Sequence, residues 1–179
     1  MSHAVKPDRS IVLIGLMGVG KSTIGRRLAR ALDMPFRDSD EEIEAAAGRS
    51  VSEIFSDFGE PAFRDGERKV IARLLEEPPL VLALGGGAFM DPQTRERVKA
   101  TAISIWLQAD IPTLVRRVSR RNTRPLLREN DPVEVLQRLL DARTPAYSEA
   151  DIHLDASTGS HQATLDRILE ALSAREAKA

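Results

Sequence analysis

The sequence contains no cysteine among its 179 residues. This absence excludes a disulfide framework, thiolate metal ligands and a cysteine nucleophile, and it is compatible with a reducing cytosol. Neither sign of charge is in excess, because 26 Lys and Arg stand against 27 Asp and Glu and give a formal net charge of −1. The chain as a whole therefore has no general attraction for nucleic acid or for an acidic membrane surface.

Long apolar runs are also missing. The longest, near residues 80–84, is far shorter than a membrane span, and residues 1–9 are polar without the apolar segment of a signal peptide. We therefore expect a soluble cytoplasmic protein that binds neither membrane nor nucleic acid. The even charge and the lack of an obvious exposed apolar stripe favour a monomer, and the length fits one domain.

Short apolar runs alternate with longer segments of helical period, which is typical of a parallel sheet wrapped by helices. The pattern predicts five strands, at residues 11–14, 35–37, 80–84, 102–107 and 152–154. The predicted helices open at Lys21, near 41, after Ser50, and at 91, 110, 132 and 162. We expect the helix at 132 to end at 142, with Arg143 beginning a further turn, and the last helix to fray from about 173.

A glycine-rich loop follows the first apolar run. Gly15-x4-Gly20-Lys21-Ser22 stands directly after a predicted strand and directly before a predicted helix. In that context the glycines let consecutive N–H groups surround phosphate oxygens, and the helix N-terminus adds partial positive charge. Lys21 supplies a cation for the β and γ phosphates, and the Ser22 hydroxyl is placed to coordinate Mg²⁺. The loop predicts a bound nucleoside triphosphate rather than a plain turn with an exposed lysine.

The loop alone does not define a reaction. It is compatible with a metabolite kinase, a GTPase-type switch or an ATPase that acts on macromolecules. A guanine-reading Asn-Lys-x-Asp motif is absent from the sequence, which counts against the switch. The triplet Asp57-Phe58-Gly59 also occurs in protein kinases, but the chain lacks their glycine loop and their His-Arg-Asp segment. We interpret the triplet as a helix end with Gly59 as its cap.

Two aspartates follow the second predicted strand. Asp38 and Asp40 lie where the strand ends, at the edge of the sheet that binds ligands in open α/β folds. One carboxylate can hold Mg²⁺ directly or through water, and the other can accept the proton of a hydroxyl that attacks the γ-phosphate. An acidic N-cap of the following helix is the alternative, and the sequence leaves both readings open.

An acidic and basic pair and a triple glycine come further along. Arg64 and Glu67 share one predicted helical face, where the carboxylate can orient the guanidinium, and a surface ion pair of little energetic value is the alternative. Gly85-Gly86-Gly87 follows the third strand. Three glycines cost order on folding, and a group that must approach the backbone closely explains them better than a flexible turn does.

The segment of about 119–131 interrupts the alternation of strands and helices and is long for a connection. We predict a lid that closes over the triphosphate. Nucleic-acid binding is the alternative, but the segment has no aromatic side chain on which a base could stack. Arg124 precedes Pro125, which biases its backbone away from helix and makes it the best lid cation. Six arginines lie in or beside this segment: Arg116, Arg117, Arg120, Arg121, Arg124 and Arg128.

In this order, the motifs closely resemble those of shikimate kinases. The glycine loop is shared by very many proteins, whereas the other five motifs at these spacings are specific. The resemblance runs over about residues 11–147. The motifs are Asp38-x-Asp40, Phe63-Arg64-x-x-Glu67, Gly85-Gly86-Gly87, Asn122-Thr123-Arg124-Pro125-Leu126-Leu127 and Arg143-x-Pro145-x-Tyr147.

The resemblance implies an α/β protein with a three-layer α/β/α P-loop kinase fold of the nucleoside monophosphate kinase type. One domain would span residues 1–179, with a five-stranded parallel sheet, a substrate-binding region at about 38–68 and a mobile lid. The implied reaction moves a phosphoryl group from ATP to the 3-hydroxyl of shikimate in aromatic amino-acid biosynthesis. Another small-metabolite kinase of this fold, such as a gluconate kinase, and a non-catalytic nucleotide-binding module are the alternatives.

The resemblance also implies roles for single residues, with ATP and shikimate as partners and Mg²⁺ as cofactor. The catalytic set is Asp40, Lys21 and Arg124. The ATP-binding set is Gly18, Val19, Gly20, Lys21, Ser22, Thr23, Arg117 and Arg124. The substrate-binding set is Asp40, Phe55, Phe63, Arg64, Glu67, Gly85, Gly86, Gly87 and Arg143. Ser22 and Asp38 would hold the metal.

Within these sets, Arg64 and Arg143 would hold the shikimate carboxylate, and Asp40 would accept the hydroxyl proton. The chain departs from the family pattern at two places. Leu84 stands where threonine commonly precedes the triple glycine, and residues 155–160 lack the arginine that some relatives place near the adenine. His161 is the nearest candidate for that contact.

Overall fold

The structure is a computed structural model, and it describes residues 6–120 and 131–178. Its five strands are all parallel, in the order β2-β3-β1-β4-β5. They are β1 Ser10–Ile14, β2 Phe36–Asp38, β3 Val81–Ala83, β4 Ala102–Gln108 and β5 Ile152–Asp155. The α/β class and the five parallel strands predicted from the sequence are confirmed.

Helices connect these strands. They are α1 Lys21–Ala31, α2 Ser39–Ala47, α3 Val51–Glu76, α4 Pro92–Thr101, α5 Ile111–Ser119, α6 Pro132–Tyr147 and α7 His161–Ala177, and a 3₁₀ turn that the sequence did not predict spans Ala88–Met90. The predicted helix end at Gly59 is confirmed as an interruption of α3, because the Gly59 φ angle of 83° is not helical.

The core lies on both faces of the central strands. Every residue of β1 and of β3 is buried, as expected for a parallel sheet covered on both sides. Helix α1 packs against β2 at close range, since a Cβ on Gly25 would lie 2.5 Å from the Phe36 ring. The aliphatic runs of the sequence therefore form the buried sheet. This sheet fixes the positions of the carboxyl ends of the strands and of the glycine loop that follows β1.

Two helix ends differ from the prediction. Helix α6 continues through Arg143 to Tyr147 instead of ending at 142, so Arg143 lies inside a helix and does not begin a new turn. Pro145 has no N–H to donate to the Asp141 carbonyl, yet the helix continues past it, and the Ser148 N–H donates to the Thr144 carbonyl at 2.8 Å. Helix α7 extends to Ala177, beyond the predicted fraying at 173, because its last turns consist of strong helix formers.

Candidate active site

A cavity of about 300 Å³ opens where the carboxyl ends of β1, β2 and β3 meet. The residues around it come from the glycine loop, the starts of α1 and α2, the end of β3 and the end of α5. They are Gly18, Gly20, Lys21, Ser22, Thr23, Asp38, Asp40, Leu84, Gly85, Gly86, Arg117, Val118, Arg120 and His161. The structure thus brings the predicted phosphate loop and the predicted acidic pair to one cavity.

The glycine loop is shaped by backbone that other residues rarely adopt. Gly18 and Gly20 have φ angles of 86° and 98°, in the left-handed region that favours glycine. Gly20 is the N-cap of α1 and has no side chain with which to cap the first-turn N–H groups. The Lys21 ammonium donates to the Gly15 carbonyl at 2.6 Å and to the Leu16 carbonyl at 3.3 Å. The Lys21 ammonium and the first-turn N–H groups of α1 therefore lie next to the glycine loop, and an anion bound there could accept hydrogen bonds from both.

Asp38 connects the loop to the second strand. The Ser22 hydroxyl donates to Oδ2 of Asp38 at 2.8 Å, while Oδ1 of Asp38 accepts the N–H groups of Asp40 and Glu41 at 2.9 and 3.3 Å. Asp38 is therefore the N-cap of α2, which begins at Ser39 and not near residue 41. The N-cap reading therefore applies to Asp38, and both Asp38 and Asp40 line the cavity.

The triple glycine is the point where three predicted site residues meet. A Cβ on Gly85 would lie 2.5 Å from Oδ1 of Asp40, a Cβ on Gly86 would lie 2.7 Å from Nη1 of Arg143, and a Cβ on Gly87 would lie 2.6 Å from Nη2 of Arg64. The three glycines are consecutive in the sequence, yet their three partners come from different helices, α2, α6 and α3. Each glycine therefore makes room for the side chain of one predicted site residue, as the prediction of a close approach to the backbone required.

Arg64 and Glu67 form a partly buried pair. Nη1 of Arg64 donates to Oε1 of Glu67 at 2.7 Å, and Glu67 is 3% exposed, so a surface ion pair is excluded as an explanation. Burial raises the pKa of Glu67, and the charge of Arg64 and its hydrogen bond oppose that effect. The carboxylate thus holds one edge of the guanidinium beside Gly87.

Two phenylalanines lie next to this pair. The Phe55 and Phe63 ring centroids are 4.5 Å apart, and the Arg64 guanidinium lies 5.2 Å from the Phe63 ring centroid. Phe63 is buried and Phe55 is half-buried. The apolar wall predicted for these rings therefore stands beside Arg64, although neither ring lines the 300 Å³ cavity.

Arg143 contributes the second guanidinium. Among the described residues, its Nη1 is the buried side-chain nitrogen that has no hydrogen-bond partner. An unpaired buried donor on a cation is costly, so a group that accepts from it would be strongly favoured. The nitrogen adjoins Gly86, which lines the cavity, although Arg143 itself does not.

Arg117 and His161 line the cavity beside the glycine loop. Nη1 of Arg117 donates to the carbonyls of Gly18 and Val19 at 3.4 and 3.2 Å, and Nη2 donates to the Ala156 carbonyl at 3.2 Å. A Cβ on Gly20 would lie 3.4 Å from the His161 ring. Desolvation against the loop lowers the His161 pKa, and the positive charge of Arg117 lowers it further.

Three site features were missed or lie elsewhere. The Ser39 hydroxyl accepts the Gly85 N–H at 2.8 Å, and the sequence signal for it was its position between two functional aspartates. The sequence shows Tyr147 only as part of a motif, yet its hydroxyl contacts the carbonyls of Gly15 in the phosphate loop and of Gly86 in the triple glycine. The predicted lid cation Arg124 lies outside the described residues.

Known proteins provide an independent comparison. The shikimate kinase family model matches residues 17–173. A shikimate kinase of Caulobacter vibrioides is 60% identical over 164 residues, which cover 92% of this chain and 82% of that protein. A shikimate kinase of Paramagnetospirillum magneticum is 57% identical over 164 residues, with 92% and 84% covered.

The fold gives the same result as the sequences. The structure of shikimate kinase from Acinetobacter baumannii in complex with shikimate superposes with a TM-score of 0.89 and 36% sequence identity, and the match covers 95% of this chain and 96% of that chain. The P-loop kinase fold implied by the motifs is thereby confirmed. Family model, sequence identity and fold agree over most of the length, and this chain belongs to the shikimate kinase family.

Proposed function

We propose that the protein transfers the γ-phosphoryl group of ATP to the 3-hydroxyl of shikimate. The observation that carries this proposal is the triple glycine, against which Asp40, Arg143 and Arg64 all pack. A carboxylate beside two guanidiniums suits a substrate that bears a hydroxyl at one position and a carboxylate at another. The family to which the chain belongs, and the shikimate bound in the Acinetobacter baumannii relative, support the same substrate.

The nucleotide half of the site consists of the glycine loop and its neighbours. The loop amides and Lys21 would surround the β and γ phosphates, because phosphoryl transfer demands positioning and positive charge. Val19 is buried and Thr23 lines the cavity, so we assign the first to the loop's shape and the second to phosphate contact. Arg117, which holds the loop through two carbonyls, would flank the adenine, and Arg124 would supply the lid cation.

Ser22 and Asp38 fit a Mg²⁺ ion. Their side-chain oxygens lie 2.8 Å apart, and oxygen ligands are those that Mg²⁺ prefers. Within residues 6–120 and 131–178, no cluster of three or more His, Cys, Asp or Glu could hold a metal by itself. A Mg²⁺ site needs none, since substrate phosphates and waters complete its shell. When bound, the ion would neutralise phosphate charge.

The acceptor half would work by orientation and proton removal. Arg64, held by Glu67, and Arg143, whose Nη1 has no partner in the described chain, would grip the shikimate carboxylate in two places. Two guanidiniums on one carboxylate would fix the orientation of the shikimate ring, with the reacting hydroxyl directed toward Asp40. Asp40 would accept its proton as the oxygen attacks phosphorus. Phe55 and Phe63 would cover the apolar face beside Arg64.

The test is ADP release, measured by a coupled assay with shikimate, gluconate or single-stranded RNA added in turn. We expect release with shikimate alone. Release with gluconate would indicate another metabolite kinase, and response to RNA alone would indicate a nucleotide-binding module that uses the arginine-rich segment. Arg143→Ala should then raise the KM for shikimate and leave the KM for ATP near that of the unmodified protein. An unchanged shikimate KM would remove Arg143 from the site.

No helix in the described chain is both long enough and apolar enough to cross a membrane. The monomeric state, the absence of nucleic-acid binding and the cytoplasmic location stay predictions of the sequence. The same holds for the adenine contact of His161, although its ring lies beside the loop.

A further inference from the structure

Tyr147 is the last residue of α6 and is fully buried. Its hydroxyl donates to the Gly86 carbonyl at short range, and the Gly15 carbonyl lies 3.5 Å from the same oxygen. Gly86 belongs to the triple glycine, and Gly15 opens the phosphate loop. A single phenol therefore stands between the loop that would hold ATP and the loop against which the acceptor residues pack.

The surroundings keep this hydroxyl in place. The Trp106 ring packs on the phenol at 5.6 Å between centroids, and the Phe89 ring packs on it at 6.5 Å. Burial raises the Tyr147 pKa, while the nearby Arg143 opposes this, so the phenol keeps its proton near neutral pH and remains a donor. The Gly15 carbonyl accepts from the Lys21 ammonium, and its oxygen lies 3.5 Å from the phenol oxygen, whose one proton is donated to Gly86.

We propose that the Tyr147 hydroxyl is a positioning residue that fixes the distance between the phosphate loop and the triple glycine. The proposal rests on the proposed function, because it concerns the alignment of the two substrates. In-line transfer requires reacting atoms about 3 Å apart, and an error of about 1 Å can cost about a hundredfold in rate. Each loop binds its own substrate through other groups, so the hydroxyl affects the reaction step and not the separate binding steps.

The test is Tyr147→Phe, which removes one oxygen and keeps the ring. We expect kcat to fall about tenfold, since a buried carbonyl loses its donor, while the KM for each substrate changes less than about threefold. Trp106→Phe is the matched control: it trims the same aromatic cluster and leaves the hydroxyl in place. It should lower Tm at least as much and keep kcat within about twofold.

A purely structural role would lower Tm in both variants and leave kcat per folded molecule unchanged. A Tyr147→Phe kcat within about twofold of the unmodified protein, or an equal loss in Trp106→Phe, overturns the inference. An unmodified protein that does not phosphorylate shikimate would overturn the proposed function instead, so the two failures are distinguishable.

A second measurement applies if Tyr147→Phe does not fold. Tyr147 is the only tyrosine, so trifluorotyrosine placed there changes one phenol and makes it more acidic. Arg143 is the charged group that faces the phenol, and Lys21 donates to the Gly15 carbonyl, whose oxygen lies 3.5 Å from the phenol oxygen. As the phenol loses its proton toward high pH it can no longer donate to Gly86, and kcat should fall there in the labelled protein alone. Matching pH profiles for labelled and unlabelled protein would refute the positioning role.

Discussion

Gly86→Ala tests the contact between the triple glycine and the Arg143 guanidinium. The Gly86 φ angle lies outside the left-handed region, so alanine can adopt the backbone without strain. What the methyl group meets is Nη1 of Arg143, at 2.7 Å. The nearest atom is the far end of a long side chain, and we therefore expect the guanidinium to move while the fold remains.

The geometry sets the size of the effect. Ordinary van der Waals contact begins near 3.4 Å, so the guanidinium must retreat by about 0.7 Å. A charge-assisted hydrogen bond to a carboxylate is worth about 1.5–3 kcal/mol, and a shift of this size forfeits most of one such bond. Since about 1.4 kcal/mol is a factor of ten, the KM for shikimate should rise tenfold or more, and the KM for ATP should not change.

Steady-state kinetics with each substrate varied in turn would measure this, with Tm recorded alongside. Gly66→Ala is the matched control, because a Cβ at Gly66 meets nothing within 4 Å. Gly66 lies within α3, where alanine should stabilise the helix by about 0.5–1 kcal/mol without affecting either KM. An unchanged shikimate KM in Gly86→Ala would refute the reasoning, and so would an unfolded variant, since the clash would then be taken up by the backbone.

Three further predictions concern carboxylates. Asp40→Asn should lower kcat about a thousandfold with ATP affinity within about threefold, and near-normal kcat would exclude Asp40 as the base. Glu67→Gln removes the charge that orients Arg64, so the shikimate KM should rise about fivefold and Tm should fall, because Arg64 loses its buried ionic partner; steady-state kinetics and thermal unfolding would check this. The hydrogen bond from Arg68 lowers the Asp91 pKa below its ordinary value of 3.8. The stability that this bond contributes is therefore present above pH 3.8 and is lost as the Asp91 carboxylate becomes protonated at lower pH. Asp91→Asn should therefore unfold at lower urea than the unmodified protein at pH 7, and the difference should shrink below pH 3.8; a constant difference would contradict the assignment.

Much of the fold could be predicted because local signals agreed with the tertiary structure. Each apolar run became a strand whose bounds lie within one residue of the prediction, since a buried parallel sheet requires continuous aliphatic segments. The capping box of Ser50 and Glu53 and the left-handed Gly48 likewise fixed helix ends through bonds between residues close in sequence. Such short-range chemistry is visible in the sequence itself.

The rest depended on contacts between distant residues. The sequence predicted a helix end at 142, but the backbone stays helical through Pro145 to Tyr147, whose side chain is fully buried. Arg143 therefore projects from a rigid helix, which local rules could not predict. Nor could the sequence show that Asp38 is the N-cap of α2 while Asp40 packs against Gly85, since both aspartates suit either role.

The triple glycine shows why the acceptor site is harder to read than the phosphate loop. In the phosphate loop, Gly18 and Gly20 are required by backbone angles, and a local pattern of glycines reports that directly. At Gly85, Gly86 and Gly87 the φ angles are ordinary, and the requirement is space for side chains from α2, α6 and α3. A pattern of small residues cannot name its distant partners. In the proposed function, recognition of shikimate depends on three contacts that only the folded chain assembles, and Gly86→Ala changes one of them by a single methyl group.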